Sequence, residues 1–198
     1  MQRGGVLVGR LAGPADLLRL GSDATQAHSQ AVEVKVDKPD SSGQRGDPDR
    51  WLESAPGGAA QQDFARSDAV IDTLRRVTGV DWEPAGPGSW SYYRRAGHHL
   101  GVHRDLAVCD LAVITCVVNV KGSANLGTLR VWPTRAHEAL EHIRERPAGA
   151  VDLQVAAGDT VILLGGVVPH QVLPTGAGQV RVVAPLCYQV AEHASSRT

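Results

Sequence analysis

The 198-residue sequence lacks an excess of charge of either sign, since 20 Lys and Arg residues stand against 21 Asp and Glu residues. Without a broad basic surface, binding to nucleic acid or to an anionic membrane is not expected. The chain also lacks an apolar run long enough to span a bilayer, and its first residues contain no signal-peptide core. These absences predict a cytoplasmic protein.

Cysteine is scarce as well, and no two cysteines have the CxxC spacing of a metal or redox motif. The three cysteines, Cys109, Cys116 and Cys187, all lie in apolar runs with strand-like composition. This pattern predicts reduced thiols that are buried as small hydrophobic side chains. None of the three is a candidate for chemistry.

A chain of this length is predicted to form a single domain over residues 1–198. Its N-terminal part (1–88) shows a weak helical pattern around residues 15–20, an alternating strand at Val32–Val36 and an amphipathic helix over 68–77. Ser67 is the expected N-cap of that helix and Gly79 its stop. Between these elements, residues 37–62 are rich in Pro, Asp, Ser and Gly, which predicts a long flexible loop. The loop is interpreted either as a solvated linker or as a substrate lid that carries Trp51.

From residue 89 to residue 190 the chain consists mostly of short apolar runs separated by Gly, Pro and Asn. So many short strands in about 100 residues predict a β-sandwich or jelly roll. One helix is expected within this region, over 134–146, with its apolar stripe packed on the sheet. The predicted strands are Trp90–Arg94, Gly101–Asp105, Leu111–Val120, Gly127–Trp132, Val151–Val155, Asp159–Leu164, His170–Leu173 and Gln179–Val190.

The candidate chemistry lies in a His-x-Asp motif, His103-Arg104-Asp105, and in a histidine 65 residues after Asp105, His170. If the motif is an extended strand, side chains alternate, so His103 and Asp105 share a face while Arg104 points away. Two imidazoles and one carboxylate on one side of a cation leave other positions open, which is typical of non-haem Fe(II) sites. The alternative is that the histidines are structural.

The order of motifs around these residues resembles the 2-oxoglutarate/Fe(II)-dependent oxygenase superfamily, in particular its prolyl-hydroxylase-like and phytanoyl-hydroxylase-like branches. The resemblance covers roughly residues 89–190. It rests on Tyr93 and Gly101 ahead of the His-x-Asp motif, on Gly158-Asp159, on Pro169-His170 and on an arginine eleven residues after that histidine, Arg181.

The resemblance implies a mainly β fold with flanking helices, a double-stranded β-helix (a jelly roll, cupin-like). It further implies that His103, Asp105 and His170 are catalytic and bind Fe(II), and that 2-oxoglutarate and O₂ are co-substrates. Arg181 is then expected to bind the distal carboxylate of 2-oxoglutarate. Because Asp105 is present, hydroxylation is favoured over halogenation, whose enzymes carry Ala or Gly at that position.

Arg181 also supports this assignment by a physical argument. It interrupts an apolar strand, and an unpaired guanidinium facing the barrel interior would cost several kcal/mol. A bound carboxylate would remove that cost because it matches the guanidinium fork. The alternative is an arginine on the outer face of the sheet. Tyr93 and Tyr92 are candidates for a hydroxyl beside the same carboxylate, with core packing as the alternative for both.

Arg94, Trp132 and Asn119 are candidate substrate contacts, although ordinary sheet packing or solvation would also account for them. The expected substrate is a small molecule, an amino acid or a peptide. The product is expected from hydroxylation, with desaturation, ring closure and demethylation as variants. Two other functions remain open, a non-enzymatic cupin-like protein that binds a metal or metabolite, and a metal-dependent isomerase or lyase on the same barrel.

Overall fold

The computed structural model describes residues 4–39, 45, 47–120 and 126–191. Four α-helices are found in these ranges, α1 (Pro14–Ala27), α2 (Ala59–Arg66), α3 (Asp68–Thr78) and α4 (Leu140–Glu145). The same ranges contain twelve strands. The strands are β1 (Val6–Gly9), β2 (Val32–Val36), β3 (Arg50–Pro56), β4 (Trp82–Pro84), β5 (Ser89–Tyr93), β6 (His99–His103), β7 (Leu111–Val120), β8 (Leu129–Val131), β9 (Val151–Leu153), β10 (Thr160–Leu163), β11 (His170–Val172) and β12 (Val180–Val190).

The strands pair antiparallel in one continuous curled sheet, in the order β1-β10-β7-β12-β5-β3-β6-β11-β8-β9. Strand β3 lies between β5 and β6 and joins two four- to five-stranded halves, while β2 pairs with β3 and β4 with β12. Sequence neighbours such as β5 and β6 are therefore not sheet neighbours. This is the predicted double-stranded β-helix with flanking helices, and the fold prediction is confirmed.

The helices α1, α2 and α3 cover the outer face of the half of the sheet that contains β5, β7 and β12. Their apolar side chains, including Leu20, Phe64 and Leu74, form one core with Trp90 of β5 and Leu111 of β7. All five of these side chains are at most 5% exposed. Burial on this scale stabilises the sheet from one side and leaves the interior of the barrel for a cavity.

The helix predicted over 68–77 is confirmed to within one residue, since α3 runs from Asp68 to Thr78. Ser67 and Gly79 flank α3, and Gly79 has a φ of 76°, the left-handed conformation that glycine adopts without strain. The helix over 134–146 was predicted too long, because only Leu140–Glu145 is helical and the preceding residues form turns. Their backbone groups bond to each other locally, as in the hydrogen bond from the backbone N–H of Glu138 to the carbonyl of Arg135.

The loop predicted over 37–62 was wrong in its second half, where the chain forms β3 and the start of α2. Residues 40–44 and 46 of that loop lie outside the described residues. The sequence around Trp51 is too polar to signal a strand. Its backbone is nevertheless paired on both sides, with Trp51 opposite Lys35 of β2 on one side and His99 of β6 on the other. Non-local backbone pairing therefore outweighed local composition.

The prediction of three reduced cysteines was also wrong, because Cys109 and Cys187 form a disulfide. The pairing of β7 with β12 sets Ala112 opposite Cys187, which brings Cys109, just before β7, within a Cα–Cα distance of 4.8 Å. Cys116 is the free, buried cysteine. The disulfide removes the cysteine argument for a cytoplasmic location, which stays a prediction. In the described part of the chain no helix combines the length and apolarity needed to cross a membrane.

Candidate metal centre

The two candidate histidines lie opposite each other at the point where β6 ends and β11 begins. In the antiparallel register His103 pairs with His170, and the centroids of the two imidazole rings are 4.1 Å apart. The motif and the distant histidine are thus brought together by strand pairing, which a sequence separation of 67 residues does not reveal.

Asp105 was predicted on the same strand as His103, but β6 ends at His103. Asp105 instead lies two residues beyond the strand, where its backbone N–H donates to the carbonyl of Gly165 at 2.8 Å. Its carboxylate turns back to the histidines, so that Oδ1 is 3.5 Å from Nε2 of both His103 and His170. The alternation argument predicted the correct neighbours for Asp105 although its backbone is not in a strand.

The orientation of both imidazoles is fixed by backbone carbonyls. Nδ1 of His103 is 2.9 Å from the carbonyl oxygen of Gly101, and Nδ1 of His170 is 3.0 Å from that of Val168. A carbonyl oxygen only accepts hydrogen bonds, so each Nδ1 carries the proton and donates it. The Nε2 lone pair of each ring therefore faces Asp105 and is available to a cation.

The electrostatics of this group favour a bound cation. Burial, and then the neighbouring imidazole of His170, lower the pKa of His103. Burial alone would raise the pKa of Asp105, but the two histidines outweigh burial and lower it, so the carboxylate is ionised. For His170, the attraction of Asp105 outweighs burial and raises the pKa. A proton on Nε2 of His170 therefore competes with a cation for the same lone pair.

The three side chains fit a divalent cation by their chemistry. Their ligand atoms all lie within 4.8 Å of one another, and both histidines are buried. Two neutral imidazoles and one carboxylate on one side of a cation are the donor set of non-haem Fe(II) sites, with the other positions left for further ligands. Over the described ranges, this is the group of His, Cys, Asp and Glu side chains with a spacing suited to a metal.

The triad opens into a cavity of about 100 Å³ inside the barrel. Arg181 lines the same cavity; it is 3% exposed and its Nη1 has no hydrogen-bond partner among the described residues. Its guanidinium lies over the ring of Tyr93, 5.4 Å from the centroid. The remaining lining is mostly apolar, with Leu100, Ala112, Ile114, Leu129, Val172 and Val183 among its residues.

The two candidate tyrosines are on opposite faces of β5. Tyr93 lines the cavity, and its burial raises the pKa of its hydroxyl. Tyr92 does not reach the cavity, because consecutive side chains of a strand point to opposite sides. Its hydroxyl donates to the carbonyl of Ala24 in α1 at 2.7 Å. The prediction that Tyr92 binds the co-substrate is therefore corrected to a contact between sheet and helix.

The three candidate substrate contacts also lie away from this cavity. Arg94 is exposed and contacts the ring of His28 on the side of β5 that carries Tyr92. Trp132 is fully buried; it donates from Nε1 to the carbonyl of Pro147 and packs against Leu140 of α4. Asn119 is paired with Arg181 in the sheet, but its side chain donates to the carbonyl of Val155. None of the three lines the cavity of the triad.

Two features of the centre were not predicted from the sequence. Arg104, expected only to point away from the triad, is 3% exposed and hydrogen-bonded to the carbonyl of Val167 at 2.9 Å. Gly165 lies against the candidate carboxylate, because a Cβ at this position would collide with Oδ2 of Asp105. The Gly165-Gly166 pair shortly before Pro169-His170 was the available signal, since paired glycines often mark a close approach of the backbone.

No protein-family model and no curated protein matches the sequence. Solved structures do match. The non-haem α-ketoglutarate-dependent epimerase SnoN from nogalamycin biosynthesis superposes with a TM-score of 0.73 at 13% identity, over 96% of this chain and 78% of SnoN. A Pseudomonas putida prolyl-4-hydroxylase superposes with a TM-score of 0.59 at 18% identity, over 96% of this chain and 94% of that enzyme.

HygX from Streptomyces hygroscopicus, solved with nickel, 2-oxoglutarate and hygromycin B, superposes with a TM-score of 0.61 at 12% identity. That match covers 95% of this chain and 84% of HygX. At these identities the comparisons show a shared fold. They confirm, at the level of the fold, the resemblance to 2-oxoglutarate/Fe(II)-dependent enzymes on which the sequence analysis relied.

Proposed function

We propose that this protein is a 2-oxoglutarate- and Fe(II)-dependent oxygenase that oxidises a C–H bond of a small molecule, an amino acid or a peptide. The reaction would consume 2-oxoglutarate and O₂ and release succinate and CO₂. The observation that carries the proposal is Arg181, a buried guanidinium with an unpaired Nη1 in the same cavity as His103, Asp105 and His170. A buried guanidinium with an unpaired donor is costly, so its place beside a metal triad points to an anionic ligand.

In this proposal His103, Asp105 and His170 hold the metal. When bound, the iron and 2-oxoglutarate supply the activation of O₂ and the oxidising equivalents for the C–H bond. The protein supplies the ligand geometry, with Nδ1 of each histidine tied to a backbone carbonyl so that Nε2 faces the metal. The carboxylate of Asp105 contributes the negative charge that two neutral imidazoles lack.

Arg181 would bind the distal carboxylate of 2-oxoglutarate through its guanidinium fork. Tyr93 supports this role in two ways. Its ring lies against the guanidinium, and its hydroxyl has no protein partner among the described residues and is therefore available to the same carboxylate. The apolar wall formed by residues such as Leu129, Val172 and Val183 would exclude water from the ion pair and strengthen it.

The type of oxidation is a second question, which the structural neighbours bear on. SnoN is named as an epimerase and the Pseudomonas protein as a hydroxylase. We propose hydroxylation as the reaction of this chain, with epimerisation or ring closure as the alternative, because all begin by removing hydrogen from a C–H bond. HygX was crystallised with hygromycin B. A polar natural product is therefore the small-molecule class to test first.

The cupin-like binding protein and the isomerase or lyase are weaker alternatives, because neither gives Arg181 a ligand. The discriminating experiment is an anaerobic titration of the Fe(II)-loaded protein with 2-oxoglutarate, followed by visible absorption. Chelation of the metal by the keto acid is expected to give a charge-transfer band that saturates, and Arg181→Met should shift the titration to much higher 2-oxoglutarate concentrations. A protein that binds Fe(II) but gives no band at any 2-oxoglutarate concentration would contradict the proposal.

The substrate can then be sought by succinate release in the presence of O₂. The Fe(II) protein is expected to form succinate slowly alone, and faster with a true substrate. Antibiotic-type glycosides, free amino acids and short peptides are the three classes to compare. Mass spectrometry of the product distinguishes hydroxylation, which adds 16 mass units (one oxygen atom), from epimerisation, which leaves the mass unchanged.

A further inference from the structure

Arg104, the middle residue of the His-x-Asp motif, links both halves of the candidate metal centre. Its guanidinium donates from Nε to the carbonyl of Val167 at 2.9 Å, and from Nη2 to the carbonyls of Ala136 and Glu138, each at 2.7 Å. Val167 lies three residues before His170. One buried side chain thus bridges the segment that carries His103 and Asp105, the segment that leads to His170, and the turns before α4.

These bonds are made where strand pairing no longer holds the chain. Strand β6 ends at His103 and β11 begins at His170, so the backbone from Arg104 onward has no ladder partner. Apart from the Arg104 side chain, the bond from the backbone N–H of Asp105 to the carbonyl of Gly165 joins the two segments. The position of the Asp105 carboxylate therefore depends on few contacts, of which Arg104 makes the link to Val167.

We propose that Arg104 is a positioning residue for the metal centre. Its guanidinium donates hydrogen bonds to the backbone carbonyls of Val167, Ala136 and Glu138. These bonds hold the Asp105 carboxylate and the His170 segment at the separation that a shared cation requires. The inference rests on the proposed function in that it takes the triad to be a metal site. It adds a residue that touches neither metal nor substrate.

The chemistry of the side chain suits this role. A guanidinium is planar and presents fixed donors in several directions, so it can bind three carbonyls at once without being mobile. Lysine carries the same charge on one ammonium group and reaches fewer carbonyls in fixed directions. Methionine has nearly the same length but donates no hydrogen bond, and it would leave the carbonyls of Val167, Ala136 and Glu138 without this donor.

The test measures the affinity of the apoprotein for Ni(II) by competition with a chromogenic chelator, which requires neither substrate nor turnover. Residues that orient metal ligands typically contribute about 10–100-fold in affinity, so Arg104→Met is expected to raise the Ni(II) dissociation constant by that factor. The Ni(II) dissociation constant of Arg104→Lys is expected to lie between those of Arg104→Met and the wild type. If the methionine variant does not fold, the lysine variant is judged by the same criterion.

The matched control is Arg144→Met. Arg144 of α4 donates to the carbonyl of Val102 in β6 at 2.9 Å, so this variant removes a hydrogen bond between α4 and β6 that does not involve Val167. It is expected to lower the melting temperature and leave the Ni(II) affinity unchanged. An unchanged affinity in Arg104→Met, or an equal loss in Arg144→Met, would overturn the positioning role.

Asp105→Ala, measured in the same assay, separates this proposal from the function itself. If Asp105→Ala loses Ni(II) binding and Arg104→Met binds Ni(II) more weakly than the wild type, both the metal centre and the positioning role are supported. If Asp105→Ala loses Ni(II) binding but Arg104→Met binds Ni(II) with wild-type affinity, only the positioning role is overturned. Wild-type binding in Asp105→Ala would overturn the metal centre and, with it, the proposed function.

Discussion

Each face of strand β5 carries a buried tyrosine, and the two hydroxyls differ in whether the protein provides a hydrogen-bond partner. Tyr92 points to the helix side, where its hydroxyl is satisfied by the carbonyl of Ala24. Tyr93, the next residue, points into the barrel, where it meets the guanidinium of Arg181 and its hydroxyl finds no protein partner among the described residues. Both side chains are 2% exposed, so burial does not distinguish them.

The difference shows how a binding face can be recognised in this fold. On the helix side, the buried tyrosine hydroxyls end in contacts with helices, since Tyr188 of β12 likewise donates to the carbonyl of Ala65. Inside the barrel, the Nε2 atoms of both histidines and Nη1 of Arg181 face a cavity. Buried polar groups are normally paired, so an unpaired Nη1 that faces a cavity beside three metal-ligand side chains marks the place of a ligand.

The largest expected effect is that of Asp105→Ala, which removes a metal ligand from the barrel face. Removing the carboxylate leaves two neutral imidazoles and no negative charge for the cation. We expect no detectable succinate formation, and a loss of metal affinity larger than the roughly 10–100-fold typical of residues that only orient ligands. Anaerobic Fe(II) titration and succinate analysis measure the two effects.

Asp63→Ala is the matched control for that variant. Asp63 of α2 forms an exposed ion pair with Arg19 on the helix side, and exposed pairs contribute little to stability. Metal affinity and turnover should equal those of the wild type. Full turnover in Asp105→Ala would remove this residue from the proposed ligand set and with it the contrast between the two faces.

Arg181→Met is expected to have opposite effects on binding and on stability. Truncating one partner of a buried ion pair costs about 3 kcal/mol, which corresponds to a roughly 150-fold weaker binding of 2-oxoglutarate. In the ligand-free protein the same change removes an unpaired buried charge, so the melting temperature should stay the same or rise. Titration and thermal unfolding of the apoprotein measure the two quantities.

The neighbouring face again provides the control. Arg94→Met removes an exposed arginine that contacts His28, and it should leave the 2-oxoglutarate affinity unchanged. A marked fall in the melting temperature of ligand-free Arg181→Met would mean that the protein itself satisfies this guanidinium. The argument from the unpaired Nη1 would then fail.

Removing the disulfide tests whether the stability of the barrel also depends on a covalent bond beside the cavity. Cys187 lines the cavity and is joined to Cys109 over a sequence separation of 78 residues. A bond that closes a loop of this length stabilises by about 2–4 kcal/mol, mainly by restricting the unfolded chain. The double variant Cys109→Ala, Cys187→Ala should lose about that much free energy of unfolding in urea.

Cys116→Ala, which removes the free buried cysteine, is the comparison for the double variant. This variant keeps the disulfide, so its free energy of unfolding, like that of the wild type, should fall when a reductant is added, whereas that of the double variant should not change. Equal stability of the reduced and oxidised wild type would contradict the expected contribution of this bond.

The smallest effects are expected from the two tyrosines, and they sharpen the comparison most directly. Tyr92→Phe removes one buried hydrogen bond, which should lower the free energy of unfolding by about 1 kcal/mol without affecting 2-oxoglutarate. Tyr93→Phe removes a hydroxyl that has no protein partner, so stability should hardly change while the affinity for 2-oxoglutarate falls by up to about tenfold. If Tyr92→Phe weakened 2-oxoglutarate binding and Tyr93→Phe lowered the stability instead, the roles assigned to the two faces would be wrong.

The sequence indicated the β-rich core because local patterns there agree with the final structure. Strand β7 was predicted with its correct ends, and α3 with its cap and stop residues, since alternation and capping are properties of neighbouring residues. The three triad residues were found in the same way, from a short motif and its order along the chain. Strand β3 and the short helix α4 were not predicted correctly, because tertiary contacts decide them.

What the sequence determined by itself is the inventory of groups, namely two histidines, a carboxylate and an arginine in an apolar strand. Only the tertiary structure decided which of these groups meet, since it sets His103 opposite His170 and joins Cys109 to Cys187. It also decided that Tyr93 and not Tyr92 enters the barrel, because the register of β5 against β12 selects the face. The physical reason is that residue chemistry is local, whereas backbone pairing between distant strands fixes position.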